Sequence, residues 1–142
     1  MRRLKVNRRD LIFALDNRVR GVANYLDTET GDVIPVFSYN RDQILDAVRE
    51  TPDRYLRLAP QTGGQAYQAM AGFTATVSRP ELRGQLEAAL ASPARFRLFR
   101  EVVEANPVES RRWQNYRAEM LIEVVRAKLA ARQIELLAQP AD

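Results

Sequence analysis

Apolar residues along this chain fall into two regimes. Before residue 62 they come in short alternating runs broken by turn residues. After it they recur at spacings of three and four. The first regime reads as strands and the second as helices. Leu4–Val6 alternates and predicts a short strand. Asn7 then offers an N-cap, Asp10 suits the positive helix end, and Leu11, Ile12, Leu15 and Val19 lie at helical spacing up to a stop at Gly21. Residues 22–27 and 32–38 flank a TETG turn. There Asp27 and Thr28 favour turn entry, and Gly31 can supply the positive φ of a type I turn with a bulge. Pro35 lacks an N–H, so the second strand of this hairpin belongs at a sheet edge. Asn40 and Gln43 form a capping box before Ile44, Leu45 and Val48, and residues 54–59 predict another strand.

The later half begins with the loop QTGGQ. Tyr67, Met70, Phe73 and Val77 then follow at helical spacing. Ser78 with Glu81, and Ser92 with Pro93, predict two further helix starts. Asn106–Pro107 opens a long last helix. Phe96, Phe99, Val102 and Val103 make one predicted core stripe. Trp113, Tyr116, Met120 and Val124 make another, with Leu121, Val125 and Leu129 one position round. Residues 134–137 return as an edge strand or fray. The predicted class is α+β. A small antiparallel sheet (strands near 4–6, 22–27, 32–38 and 54–59) precedes a predominantly helical half over about 65–132. The 142 residues suit one domain, with a mixed part over 1–62, a helical part over 63–138 and a tail over 139–142.

Composition narrows the chemistry. There is no cysteine and no histidine. That excludes thiolate chemistry, histidine triads and Cys- or His-ligated metals. No apolar run is long enough for a membrane helix, and no secretory pattern follows the basic start, so a cytoplasmic location is expected. The net charge is +4, almost all its positive side is arginine, and the basic excess gathers in residues 1–20 and 93–132. Arginine pairs bidentately with phosphate and carboxylate, although a GC-rich coding genome gives the same bias.

Three places carry candidate chemistry. Asp27, Glu29 and Asp32 surround the hairpin turn, where carboxylates can hold Mg²⁺ for phosphoester hydrolysis or simply close the turn. QTGGQ can cradle a phosphate, but it lacks the GK[ST] of a Walker loop and reads better as a connection. ARFRLFRE and RRWQNYR interleave Arg95, Arg97, Arg100, Arg111, Arg112 and Arg117 with aromatic rings, a pattern that tracks phosphates while stacking bases. The helical wheel puts the rings in the core and leaves the arginines flanking it. Arg8 and Arg9 in the N-terminal arm are further contacts for an acidic partner. No residue is marked as catalytic and no cofactor is implied.

Four stretches, YLDTETGDVI, DRYLRL, AYQAM and the pair RFRLFRE and RRWQNYR, occur in an order and spacing that resemble the uncharacterised bacterial proteins grouped as UPF family 0158. Tyr25, Leu26, Asp27, Glu29, Thr30, Gly31 and Val33 match the hairpin motif. Phe96, Phe99, Arg100, Trp113 and Tyr116 match the later one. Arg95 stands where the family often has Gly-Ala, and Tyr116 replaces a common Phe. The resemblance implies a shared fold and a bacterial origin and leaves activity open. The reading at this point is a non-enzymatic binding or regulatory module for a nucleic-acid or protein partner. The alternatives are a metal-dependent phosphoester hydrolase and a self-associating structural protein.

Overall fold

The structure is a computed structural model and describes residues 1–17, 19 and 21–140. It is α+β, with two small sheets and six α-helices among the described residues. The chain divides into two compact units, Met1–Gln61 with Leu121–Asp142, and Thr62–Met120.

In the first unit β1 (Arg2–Asn7) pairs in parallel with β5 (Ile134–Gln139), Leu4 opposite Leu136. This corrects the expected place of 4–6 in the antiparallel sheet. Alternation fixes which side chains face the core, but it does not name the partner strand. Leu4, Val6, Ile134 and Leu136 are buried, while Arg3 and Glu135 on the other side form an exposed ion pair. The second sheet has the order β3 (Val33–Val36), β2 (Ala23–Asp27), β4 (Tyr55–Arg57), all antiparallel, with Pro35 on the edge strand as predicted. β4 is shorter than 54–59: it ends at Arg57, and it starts one residue late because Pro52–Arg54 forms a 3₁₀ turn before it.

Helix α1 (Arg8–Asp16) is capped by Asn7, whose Oδ1 accepts from the Asp10 N–H. It ends before Gly21. Asn17 turns extended and accepts from the Val19 N–H, so Val19 leaves the expected core stripe and is exposed. Helix α2 (Arg41–Glu50) lacks its predicted capping box. Asn40 points back instead, accepting from the Phe37 N–H at 2.7 Å and donating to the Pro35 carbonyl at 3.1 Å. Those bonds end β3 at Val36. Leu4, Leu11, Leu26, Leu56, Ile122, Val125 and Leu129 belong to the core of this unit.

In the second unit α3 (Gly63–Ala75) starts inside QTGGQ. Thr62 and Gln65 make a reciprocal capping box, so the two glycines form the first helical turn rather than a connection. Helix α4 (Pro80–Leu90) has Pro80 in its first turn and Arg79 as N-cap, one residue after the predicted Ser78. Helix α5 (Arg95–Glu104) also starts late, after Ser92 Oγ accepts the Ala94 N–H. Met70, Phe73, Leu82, Leu86, Phe99 and Val103 form the core, with Trp113 and Tyr116 packed against it. Phe96, expected in this core, is 50% exposed. Helix α6 (Pro107–Ala130) crosses from one unit to the other. Its Trp113 and Tyr116 are half-buried in the second unit and its Leu121, Ile122, Val125 and Leu129 are buried in the first, while Met120 and Val124 are exposed, contrary to the expected continuous stripe. Among the described residues no helix is long and apolar enough to cross a membrane.

Candidate functional site

Of the three hairpin carboxylates, Asp27 and Glu29 are engaged within the fold, while Asp32 is exposed and its side chain has no hydrogen bond or ion pair among the described residues. Gly31 takes φ +84°, and its N–H reaches four residues back to the Asp27 carbonyl at 2.8 Å. The loop is therefore an α-turn, one residue longer than the expected type I turn with a bulge. A Cβ on Gly31 would lie 2.0 Å from the Lys5 carbonyl oxygen, so both conformation and space require glycine here. Asp27 accepts two bonds from Arg54, Nε at 2.9 Å and Nη2 at 2.8 Å, and further bonds from the Glu29 and Thr30 N–H groups. The Arg54 bonds, with the backbone donors, hold the buried Asp27 carboxyl down to about 2 against the opposing push of burial. Glu29 completes the cluster on Arg54 Nη1 at 3.2 Å. Asp27 and Glu29 thus meet on a guanidinium. Among the described residues no group of three acidic side chains is arranged to hold a metal ion.

The arginine–aromatic helices are largely self-satisfied. Phe73, Phe99, Trp113 and Tyr116 pack on one another with ring centroids 5.0–6.4 Å apart. Arg95 lies over the Tyr67 ring at 5.0 Å. Arg112 lies over Phe73, pairs with Glu109 and bonds Thr76 Oγ1. Arg97 pairs with Glu101 at 3.0 Å, and Arg8 and Arg117 are also engaged. Arg9, Arg100 and Arg111 are exposed, and among the described residues their side chains have no hydrogen bond or ion pair. Other arginines tie elements together by donating from their guanidiniums to backbone carbonyls: Arg2 to that of Thr28, Arg126 to that of Leu136 and Arg132 to that of Asp53. Part of the arginine bias is therefore structural.

A different surface of the first unit combines exposed rings with unpaired cations. Tyr39 is 82% exposed and stacks on Phe37, centroids 5.4 Å apart and 16° from parallel. Phe13, on α1, is 76% exposed. Of three adjoining depressions, of about 450, 500 and 300 Å³, Val22 lines all, Phe37 the first two, and Gly21 and Arg41 the last two. Phe13 opens the first, Tyr39 the second, and Tyr25 with Arg57 the third. Among the described residues the side chains of Arg41 and Arg57 make no hydrogen bond or ion pair. The edge of β3 beside this surface is closed to a further strand. Pro35 offers no donor, and Asn40 occupies the Phe37 N–H and the Pro35 carbonyl.

Sequence reasoning missed this surface. Its one local signal was Phe13, an aromatic off the Leu11–Leu15 stripe of α1. Tyr39 and Val22 lie outside regular elements, where periodicity carries no information. No curated protein and no solved structure matches the chain. The model of the Uncharacterised protein family (UPF0158) matches residues 1–140, and the chain belongs to that family.

Proposed function

We propose that this protein is a non-enzymatic binding module for single-stranded nucleic acid, engaged through the Phe13–Tyr39–Arg57 surface of its first unit. The observation that carries the reading is the exposed Tyr39 ring, stacked on the half-buried Phe37, beside two arginines whose side chains are unpaired among the described residues. The outer face of Tyr39 and the exposed Phe13 ring each offer a base a face, and neighbouring guanidiniums neutralise the phosphates between them. The net charge of +4 favours the same class of partner. The Phe99, Trp113 and Tyr116 rings of α5 and α6 are a weaker platform, because they pack on one another and on Phe73.

Mobility shifts with single-stranded DNA and RNA, at low and moderate salt, test the reading. Binding should weaken steeply with salt. Tyr39→Ala should lower affinity about 5- to 100-fold, from the loss of one stacking contact, without changing thermal stability. Absence of binding to any strand at low salt overturns the proposal. So does a partner from nuclease-treated lysate that is held by the wild type and released by Tyr39→Ala, which would assign the same rings to a protein.

A further inference from the structure

The first of the three depressions lies between α1 and the face of the β2–β3 sheet. Its walls are apolar, with Phe13, Ala14, Val22, Pro35 and Phe37 among them. At about 450 Å³ it has the size and lining of a small-ligand site. Its one strongly buried polar side chain is Asn24, on β2 opposite Pro35 and only 6% exposed. The Asn24 backbone carbonyl accepts the Leu58 N–H at 2.8 Å. Its carboxamide has no hydrogen-bond partner among the described residues. No side-chain nitrogen or oxygen there is both sealed from solvent and unpartnered. The Asn24 amide atoms therefore retain access to the cleft that the residue lines.

With no protein partner, the open polar edge of Asn24 is available to a ligand in an otherwise apolar wall. Leucine would fill the same place without that edge. A carboxamide sets one donor beside one acceptor, which complements a planar ring carrying an adjacent acceptor and donor. The flat faces of Phe13, Phe37 and Pro35 suit such a ring. Asp10, the carboxylate in the lining, disfavours an anion inside.

We infer that this cleft is a base pocket, in which a single unstacked nucleobase is held between the α1 and β3 walls and read along its edge by Asn24. The inference rests on the nucleic-acid reading and names the part of that surface that recognises a base rather than a phosphate.

The test follows the Asn24 side-chain amide resonance of the full-length protein by nitrogen-15 NMR during titration with adenosine, uridine, cytidine and guanosine. At least one nucleoside should shift that resonance saturably. Asn24→Leu should weaken its binding about tenfold or more, while thermal stability stays equal to or above the wild type. Asn24→Gln, which keeps the donor and acceptor, guards against a folding artefact and should retain part of the affinity. Failure of all four nucleosides to move the resonance overturns the inference, as does wild-type affinity in Asn24→Leu. Toluene binding as tightly as the nucleosides also overturns it, since the edge would then contribute nothing. Oligonucleotide binding that survives Asn24→Leu unchanged sinks the pocket and leaves the surface reading standing. No oligonucleotide binding at all sinks both.

Discussion

Arginines and aromatic rings meet in both units of this protein, with opposite outcomes. In α3, α5 and α6 of the second unit the rings bury one another, and most of the arginines that surround them carry a carboxylate, a hydroxyl or a ring face. In the first unit Phe13 and Tyr39 stay exposed, and the side chains of Arg41 and Arg57 have no partner among the described residues. The same residue types thus build a core in one place and an open surface in the other. Residue type and spacing do not separate the two; whether the polar and π groups are already satisfied does.

The largest expected effect tests the structural side of that contrast. Phe73→Ala removes a ring that is 1% exposed and touches Phe99, Trp113 and Tyr116. It should destabilise by about 3–5 kcal/mol in urea denaturation, far more than Tyr39→Ala. A loss below about 1 kcal/mol would mean that these rings are not a packed core, and would break the comparison.

The next effect concerns an arginine of the first unit that is fully engaged. Asp27 has its folded value depressed to about 2 from 3.8. Its contribution is therefore complete above the unfolded value and is lost as pH falls through the folded one, a window from about pH 4 to 2. Asp27→Asn should cost about 2 kcal/mol at pH 6, shrinking to a few tenths near pH 2. A pH-independent difference in denaturation free energy would show that the Arg54 pair is not what depresses the carboxyl.

The smallest effect sharpens the functional side. Replacing Arg41 and Arg57 by Gln should reduce the salt slope of oligonucleotide binding by about one for each phosphate that is no longer neutralised. The same change at Arg97 and Arg112, whose guanidiniums are engaged, should leave the slope unaltered. Equal slopes in the two double variants would erase the distinction between the regions.

Local chemistry makes much of the fold legible. The Asp27–Gly31 turn, the Asn7 cap, the Pro35 edge and Pro80 in the first turn of α4 are each decided within a few residues. The partner of β1 is not legible, because its register is set by Leu136 and its neighbours at the far end of the sequence. The QTGGQ segment reads as a loop on its two glycines, which outweigh the capping-box spacing of Thr62 and Gln65 that in fact starts a helix there. Phe96 fits a helical stripe on spacing alone, yet lies where that stripe meets solvent. The candidate surface is the hardest part to see. It joins a loop tyrosine, an off-stripe phenylalanine and two arginines from separate elements, and pairing is a property of the folded chain.

The β1–β5 pair has a consequence for synthesis. Thr62–Met120 is continuous in the chain and dominated by helices, so its unit can fold as soon as it leaves the ribosome. The first unit cannot. Residues 2–7 wait for 134–139, and Leu11 and Leu26 wait for Leu129. The apolar face of β1 is exposed throughout that interval. Translation that stops short of β5 would therefore leave the apolar face of β1 without its partner strand, and a chain of that kind is open to proteolysis.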